Sequence, residues 1–359
     1  MSPGRLQSGR PEPGVAVITT IAIDGFKSFQ DFEFAFPSGP LTVLTGPADT
    51  GKTNLLDALT LVSRTLTDGW EAATVSSPRL AADALLLRSE HEGRPRTAQR
   101  MRITVQALVP GAAGPVSVEL TALRAPDGRT AVLDTAGSGV RTAARTGAAQ
   151  HLIPLDGTGA LMDTLREQAR NWRTASGDAG DTASLLGRLG PEAAARLDAD
   201  LAALVHGASG VRAADGRIEV RMAHRGWVPM NMMSAGALRI LGVLAAWHTR
   251  PGVLVLDGIG EGLHPKAAAE LVRRISRRLG ASSSPSQLIA STYVLDVVNA
   301  LSGGDHGGVV VIEKPHRVDP AQQTITPVSV ALPVREPRPE EGPGHCVRPS
   351  RLARMLTAA

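Results

Sequence analysis

One stretch of the chain has the residue types and the spacing of a phosphate-binding loop. It is the run Gly46-Pro47-Ala48-Asp49-Thr50-Gly51-Lys52-Thr53, followed by Asn54. The two glycines let the backbone turn so that successive N–H groups face a phosphate chain, and a helix that begins after the loop adds its partial positive charge. We expect Lys52 to reach the β- and γ-phosphates and the Thr53 hydroxyl to ligate Mg²⁺. The run therefore predicts a site for ATP and Mg²⁺, with Lys52 as a catalytic residue.

The segments on either side of this loop have the patterns of a buried strand and an amphipathic helix. The apolar segment at residues 41–45 precedes the loop, and leucines at 55, 56 and 59 repeat at helical spacing after it. Strand, glycine turn and helix in this order are the setting in which a phosphate-binding loop works. The alternative is an ordinary glycine-rich turn between a strand and a helix.

A second apolar run ends in a carboxylate and is a candidate partner for the loop. Residues 252–257 read as a strand buried on both faces, and this strand would place Asp257 beside the loop. There the carboxylate can hold the water shell of Mg²⁺. The alternative is a buried strand that ends in Asp before a glycine turn. We expect Thr53 and Asp257 to form the metal site, with Asp257 also serving catalysis.

Length and composition limit the class of protein. The chain has 359 residues, of which 43% are hydrophobic, so it can bury the core of one large α/β domain or two small ones. Aromatic residues make up 3%, which disfavours base stacking as the main mode of nucleic-acid binding. The formal net charge of +4, carried mostly by arginine, permits contact with nucleic acid without requiring it.

Cysteine content and hydropathy favour a cytoplasmic location. Cys346 is the only cysteine, so no intramolecular disulfide can form. Residues 1–14 are polar and rich in proline, which predicts a flexible leader without the apolar segment of a signal peptide. The longest apolar run, residues 240–247, is too short to cross a bilayer. We expect no membrane partner.

Alternation and helical periodicity organise the rest of the chain. Residues 100–109 and 116–123 predict paired strands, and residues 135–150 predict a loop. Two helical patterns, at residues 161–172 and 191–205, are separated by a polar stretch that predicts a flexible segment at 174–183. We interpret residues 154–206 as a small helical lobe.

Three motifs occur in an order and spacing that go beyond a lone phosphate-binding loop. They are Ile23-Asp24-Gly25-Phe26-Lys27-Ser28-Phe29 together with the loop and Asn54-Leu55-Leu56-Asp57-Ala58-Leu59; Met233-Ser234-Ala235-Gly236-Ala237-Leu238-Arg239; and the segment from Asp257 to Pro265. Together they resemble the SMC/RecF-like ATPases of the ABC superfamily, often catalogued as AAA-family ATPases. The second motif is similar to that family's Leu-Ser-Gly-Gly signature, and the third to its Asp-Glu-Pro-Glu-x-x-Leu-His-Pro segment.

The resemblance implies an α/β fold of the P-loop NTPase class, namely an ABC-type ATPase head. Such a head has a mixed sheet around the P-loop helix, an antiparallel β lobe and a small helical lobe. On this basis residues 15–332 form one ATPase domain with the helical lobe 154–206 inserted. Residues 333–359 form a tail rich in proline and arginine, with a short helix at 349–356.

The resemblance also implies a head-to-tail homodimer in which two nucleotides are sandwiched. Ser234 and Gly236 are the positions that would donate to the γ-phosphate held by the other protomer. Small residues are needed there because a helix N-terminus is offered to an anion. The alternative for Ser234 is a simple N-cap of the helix that follows, and both roles are compatible.

The chain departs from the family pattern at positions that serve hydrolysis. The family's water-orienting Glu is Gly258 here, and glycine cannot polarise water; Glu261 could substitute only if the loop is rearranged. The family's switch histidine is Tyr293, and the usual Asn-Gly of the P-loop is Ala48-Asp49, which adds negative charge near the phosphates. If Gly258 slows hydrolysis, Gly258→Glu should raise turnover.

Two hypotheses of function follow from these motifs. The first is an ATP-dependent dimerising ATPase that hydrolyses slowly and acts in DNA repair or anti-phage defence with a separately encoded effector. The second is a nucleotide-gated scaffold with negligible turnover, motivated by Gly258 and Tyr293. Contact with DNA is one interpretation of two arginine clusters, and solvated faces are the other. The clusters are Arg88, Arg94, Arg96, Arg100 and Arg102, and Arg273, Arg274, Arg277 and Arg278.

Overall fold

The structure is a computed structural model that describes most of the chain. The described residues are 16–91, 94–142, 152–170, 173–174, 179–214, 217–249, 252–279, 287–301, 307–319, 324–337, 341 and 344–357. The leader predicted at residues 1–14 lies outside these ranges. None of the helices within them has the length and apolar character of a membrane-spanning segment.

The strands within these ranges, numbered in chain order, belong to four sheets. They are β1 Val17–Asp24, β2 Phe32–Ala35, β3 Leu41–Thr45, β4 Arg88–His91, β5 Arg94–Thr97, β6 Arg100–Leu108, β7 Val116–Arg124, β8 Ala131–Leu133, β9 Gly139–Thr142, β10 Ile153–Pro154, β11 Arg173–Thr174, β12 Ala208–Ala214, β13 Arg217–Met222, β14 Gly226–Pro229, β15 Val253–Leu256, β16 Gln287–Ser291, β17 Gly307–Glu313, β18 His316–Asp319, β19 Thr324–Pro327 and β20 Val330–Pro333.

The helices are numbered in the same way, and two short 3₁₀ turns, Pro78–Leu80 and Met230–Met232, accompany them. They are α1 Lys52–Asp68, α2 Trp70–Val75, α3 Ala160–Arg170, α4 Ala179–Leu186, α5 Pro191–Leu204, α6 Ala235–Thr249, α7 Pro265–Leu279, α8 Leu295–Leu301 and α9 Pro349–Thr357.

A mixed core sheet positions the predicted site residues. Its strand order is β11-β15-β16-β3-β17-β20, and every pairing except that of β17 with β20 is parallel. Strands β3, β15 and β16 are buried along their whole length, as expected for parallel strands covered on both faces. Because β3, β15 and β16 run in the same direction, the loops that follow them meet at one edge. The P-loop, Asp257 and the segment before Tyr293 therefore lie together.

The second large sheet is the predicted antiparallel β lobe. Its order is β10-β9-β7-β6-β1-β2, with β8 added on β7. Helix α1 lies between this lobe and the core sheet, since leucines at 55, 56 and 59 share one hydrophobic cluster with both. All five phenylalanines are buried in the same cluster, and the rings of Phe29 and Phe32 lie 4.5 Å apart between centroids. Helices α5 to α8 cover the other face of the core sheet.

Two predictions about the middle of the chain are corrected. Within the predicted loop 135–150, residues 139–142 form β9, which pairs with β7, and residues 143–150 lie outside the described ranges. Within the predicted flexible segment 174–183, Thr174 belongs to β11 at the edge of the core sheet and Ala179 begins α4. Strands β9 and β11 are short and form by long-range pairing with β7 and β15, so local periodicity does not reveal them.

The helices predicted as one lobe at residues 154–206 divide between the two faces of the core sheet. Helix α3 packs on α1, where the Ser63 hydroxyl donates to the carbonyl of Ala169 at 2.9 Å. Helix α5 instead packs with α6 and α7 on the opposite face. The inserted segment therefore contributes to both layers of the head.

The predicted tail is packed on the core within its described part. Val347 is fully buried and bridges to Val334, which continues from β20. The helix predicted at residues 349–356 is α9, and its Leu352 packs in a small cluster with Val298 and Val311. Three apolar residues, Val334, Val347 and Leu352, anchor the segment, although its composition is rich in proline and arginine.

The arginines at the end of α7 are paired within the chain. Arg274 and Arg278 contact Asp200 of α5 at 3.2 and 3.1 Å, and His248 of α6 contacts the same carboxylate at 2.9 Å. Asp200 is 4% exposed. Arg273 and Arg277 pair with Glu270, which lies one and two turns earlier on the same helix. This cluster ties α5, α6 and α7 together, and all four arginines of α7 are paired with carboxylates of the same chain.

We expect this cluster to make stability sensitive to acid. Burial raises the pKa of Asp200, but the hydrogen bond from His248 and the charge of Arg278 outweigh it, so the pKa lies below its ordinary value of 3.8. A carboxyl with a lowered folded-state pKa stabilises the fold above its unfolded-state pKa, and this contribution is lost as pH falls through the folded-state value. The unfolding free energy of the wild type should therefore fall more steeply below about pH 4 than that of Asp200→Asn.

The test is urea denaturation at a series of pH values. At pH 7 we expect Asp200→Asn to be less stable by about 2 kcal/mol, because Arg274 and Arg278 lose their buried carboxylate. Asp163→Asn is the control, since that side chain is 74% exposed. Parallel pH profiles for wild type and Asp200→Asn would contradict the assignment.

Candidate nucleotide-binding site

The P-loop connects β3 to α1 and requires glycine at both ends. Gly46 has a φ of +133° and Gly51 a φ of +105°, conformations that residues with a Cβ rarely adopt. A Cβ on Gly46 would collide with the carbonyl oxygen of Ile312, and one on Gly51 would lie 2.7 Å from the hydroxyl of Ser28. Helix α1 begins without a side-chain cap and without an acidic residue in its first turn. Its N-terminus is therefore open to an anion.

Lys52 is 2% exposed and folds back into the loop. Its Nζ donates to the carbonyls of Gly46 and Pro47 at 2.9 and 2.6 Å. Burial lowers the pKa of Lys52 to about 8, against the opposing charges of Asp257, Glu261 and Asp49. The same Nζ lies 3.4 Å from the Thr50 hydroxyl, so the hydrogen-bond partners of the ammonium in this loop are uncharged.

Tyr293 covers this lysine. The Lys52 Nζ lies 4.2 Å from the centre of the Tyr293 ring, a cation–π distance, and the ring is 43% exposed. Burial raises the pKa of Tyr293, and the charges of Glu261 and Asp257 raise it further. The phenol therefore keeps its proton at neutral pH and can donate a hydrogen bond.

Thr53 and Asp257, 204 residues apart, meet at the edge of the core sheet. The Thr53 hydroxyl donates to Asp257 Oδ1 at 3.1 Å, and the Ser291 hydroxyl donates to the same oxygen at 2.6 Å. Sequence reasoning missed Ser291, although its position at the end of β16 is a signal that could have found it. Hydroxyl and carboxylate oxygens suit Mg²⁺, which keeps several waters and also takes phosphate oxygens. The described residues contain no cluster of three or more His, Cys, Asp or Glu for a metal.

The unusual Asp49 of the P-loop is paired with a cation. Asp49 has a φ of 58° and is 92% exposed at the tip of the loop. Lys314 Nζ lies 3.0 Å from its carboxylate. Lys314 therefore partly compensates the negative charge of Asp49. Lys314 follows β17, and sequence reasoning did not identify it.

A basic cavity of about 600 Å³ adjoins the start of α1. Asn54 lines it and donates to the hydroxyl of Ser28 at 2.9 Å. Lys27, Arg79 and Lys314 also line it, and Lys27 and Arg79 both contact Asp57, at 2.5 and 2.7 Å. This places the predicted Asn54 next to the loop together with cations that the sequence analysis did not select.

The signature residues lie at a different cavity, of about 490 Å³. The Ser234 hydroxyl accepts from the backbone N–H of Ala237 at 3.3 Å, so Ser234 caps α6. A Cβ on Gly236 would lie 3.1 Å from the carbonyl oxygen of Gly262. Arg239, one turn further along α6, donates to the carbonyls of Asp257 and Gly258 at 2.7 and 2.8 Å. Arg239 therefore connects the signature helix to the loop after β15, a link that the sequence did not reveal.

The loop after Asp257 folds back on itself. Gly258 has a φ of +66°, and the N–H of Glu261 donates to the carbonyl of Gly258 at 2.9 Å. Both carboxylate oxygens of Glu261 lie 2.5 Å from the position that a Cβ on Gly258 would take. The Glu261 carboxylate therefore lies beside Gly258, over the space that a side chain at that position would enter.

Comparisons with known proteins agree with this architecture. Residues 20–67 match a family model described as "AAA domain", and residues 167–292 match one described as "AAA domain, putative AbiEii toxin, Type IV TA system". No curated protein was found to match the chain.

Several solved structures share the fold. An SMC head bound to the C-winged helix domain of ScpA is 17% identical with a TM-score of 0.56, over 88% of this chain and 97% of that one. The SMC head domain from Thermotoga maritima is 16% identical with a TM-score of 0.50, over 89% and 99%. The SMC head with a coiled coil and joint from Pyrococcus yayanosii is 10% identical with a TM-score of 0.57, over 89% and 98%. The predicted resemblance to SMC-type ATPase heads is confirmed at the level of the fold.

Proposed function

We propose that this chain, which has the fold of an SMC-type ATPase head, binds ATP with Mg²⁺ at its P-loop and uses the nucleotide to join two copies. The observation that carries the proposal is the meeting of Thr53 and Asp257 at 3.1 Å beside the P-loop. A hydroxyl and a carboxylate from distant parts of the chain meet here, and oxygen ligands of these two kinds are suited to Mg²⁺ beside a phosphate chain.

The nucleotide would lie along the start of α1. Its phosphates would meet the open helix N-terminus and Lys52, whose ammonium would exchange the carbonyls of Gly46 and Pro47 for phosphate oxygens. The sugar and base would extend into the basic cavity beside Asn54. A cavity of about 600 Å³ is large enough for a nucleoside.

Dimerisation is supported by the separation of the two halves of the site. Ser234 and Gly236 line one cavity, and Asn54 lines another beside the P-loop. We expect a nucleotide on the P-loop to meet the signature of a second copy. At the N-terminus of α6, the Ser234 hydroxyl accepts a hydrogen bond from the N–H of Ala237. The other N–H groups of the first turn are suited to bind a phosphate.

A nucleotide-gated scaffold is the second candidate, favoured by Gly258 and by the Tyr293 ring over Lys52. In this role the ATP-bound dimer is itself the signal and turnover is negligible. For either role we propose a setting in DNA repair or anti-phage defence with a separately encoded effector. The match of residues 167–292 to the AbiEii-toxin description supports defence. Genes adjacent to the coding sequence, such as a nuclease or a defence cluster, would test this setting.

Asp257→Asn is expected to remove the contribution of Mg²⁺ to nucleotide affinity. The wild type should bind ATP about tenfold more tightly with Mg²⁺ than with EDTA, a difference of roughly 1.4 kcal/mol. The variant should show little difference, because the amide of Asn is a weaker metal ligand than a carboxylate. Titration with a fluorescent ATP analogue measures both affinities.

Asp68→Asn is the matched control, since Asp68 is an exposed residue at the far end of α1. It should retain the full effect of Mg²⁺. If the wild type binds ATP equally well with and without Mg²⁺, the metal site at Thr53 and Asp257 is wrong. If no ATP binds at all, the proposed function fails.

A further inference from the structure

We propose that Glu261 is the carboxylate that activates water for ATP hydrolysis, in place of the side chain that Gly258 lacks. The inference rests on the proposed binding of ATP and Mg²⁺ at the P-loop. The inference concerns the activation of the attacking water. Gly258 cannot perform this step, since glycine can neither orient water nor accept its proton.

The backbone of the loop is built to bring Glu261 back over Gly258. The Glu261 N–H donates to the Gly258 carbonyl at 2.9 Å, and Gly258 and Gly260 have φ values of +66° and +95°. A Cβ on Gly260 would lie 2.9 Å from the Cβ of Ala268, so this turn has no room for a side chain at position 260. The positive φ values favour glycine at both positions of this turn, so the two glycines are more than the loss of two side chains.

Three further contacts hold the turn in place. The N–H of Gly258 donates to the Ser291 hydroxyl at 2.7 Å, and the N–H of Ile259 donates to the Ser291 carbonyl at 2.7 Å. Arg239 donates to the Gly258 carbonyl at 2.8 Å. The turn is thus fixed to β16 on one side and to the signature helix on the other, which gives Glu261 a defined starting position.

The carboxylate of Glu261 occupies the place from which a side chain at position 258 would begin. Both of its oxygens lie 2.5 Å from the Cβ position of residue 258. Its charge acts on the P-loop, since it opposes the lowering of the Lys52 pKa and raises the Tyr293 pKa. A base carried by residue 258 and the carboxylate of Glu261 would therefore work in the same region.

The other side chains at this edge are engaged or unsuited to accept a proton. Asp257 Oδ1 accepts hydrogen bonds from Thr53 and Ser291. The raised pKa of Tyr293 keeps its phenol protonated. Glu261 is exposed, so water can reach its carboxylate.

The step is a hydrolysis in which water is the nucleophile. The water oxygen forms a bond to the γ-phosphorus while the bond from that phosphorus to the bridging oxygen breaks, and its electron pair leaves with ADP. The proton of the attacking water passes to the Glu261 carboxylate and is later released to solvent. Phosphate and ADP are the products, and no other reactant is needed.

Glu261→Gln is the first test. We expect turnover to fall about 100-fold, within the range that a general base contributes. Affinity for ATP should stay within about twofold of the wild type, because Lys52 and Asp257 are untouched. The ATP-dependent dimer should also persist longer in sedimentation, since the nucleotide is no longer consumed. Glu192→Gln, an exposed change on α5 with the same chemistry, is the control and should alter none of these values.

A compensating pair of changes separates catalysis from structure. Gly258→Glu alone should lower turnover, because its Cβ would displace the Glu261 carboxylate and the φ of +66° is strained for Glu. This reverses the expectation from sequence alone. In a Glu261→Ala background the space is free, so Gly258→Glu should raise turnover at least about tenfold over Glu261→Ala.

The outcomes distinguish this inference from the proposed function. Wild type that does not bind ATP overturns both. Wild type that binds ATP but hydrolyses it no faster than Lys52→Ala overturns the role of Glu261 and supports the scaffold. Full turnover in Glu261→Gln with normal binding overturns the role of Glu261 alone. A large fall in turnover with unchanged affinity, rescued in the double variant, supports it.

Discussion

Lys52→Ala is expected to weaken ATP binding about 100-fold and to reduce hydrolysis to background. Hydrogen bonds from an ammonium to charged oxygens contribute roughly 3 kcal/mol, which corresponds to this factor. Lys52 is buried within the loop, with Nζ 2.6 Å from the Pro47 carbonyl, so its ammonium has only to exchange loop carbonyls for phosphate oxygens. Alanine leaves the helix N-terminus as the main remaining attraction.

Titration with a fluorescent ATP analogue and a steady-state ATPase assay measure the two effects. Arg196→Ala is the matched control, because it removes an exposed cation on α5 that pairs with Glu192. Thermal unfolding should show that Lys52→Ala remains folded. An affinity within a few fold of the wild type would remove Lys52 from the site. The same assay separates the two roles, since wild-type turnover well above Lys52→Ala excludes a pure scaffold.

Ser234→Arg is expected to abolish the ATP-dependent dimer while leaving ATP binding intact. Ser234 caps α6 at the mouth of a cavity that we propose receives the γ-phosphate of the second copy. Arginine would fill that space and remove the cap, at a cost of about 1 kcal/mol to the helix. The P-loop contacts of Lys52 and Thr53 do not involve this residue, so nucleotide affinity of the isolated protomer should be unchanged.

Sedimentation with ATP and Mg²⁺ is the measurement. The wild type should shift to a dimer, Ser234→Arg should stay a monomer, and Ser234→Thr, which keeps a capping hydroxyl, should dimerise. A dimer of Ser234→Arg with wild-type stability would show that the copies join through another surface. A monomeric wild type with bound ATP would show that nucleotide binding does not drive association.

The local patterns of the sequence predicted the elements closest to the P-loop. Strand β3 and helix α1 follow from an apolar run, two glycines and a helical repeat of leucines. The paired strands β6 and β7 follow from alternation. These features depend on neighbours within a few residues, so the chain encodes them without reference to the rest of the fold.

Long-range pairing determined what the sequence interpretation missed. Strand β11 has only two residues, and it becomes a strand because β15 offers an edge. Asp200 lies in the middle of an ordinary amphipathic helix, and only the packing of α6 and α7 shows that it neutralises Arg274 and Arg278. Neither partner can be identified from spacing along the chain.

The sequence by itself determined the P-loop that carries Lys52 and Thr53, because the shape of that loop is set by its own glycines. Tertiary structure alone decided where the Glu261 side chain lies. Residue 258 is a glycine and has no side chain. Positive φ angles at Gly258 and Gly260 turn the chain so that the Glu261 carboxylate occupies the space beside it. The backbone geometry of this turn positions the Glu261 side chain. Contacts from Ser291 and Arg239, which come from distant segments of the chain, hold that geometry in place.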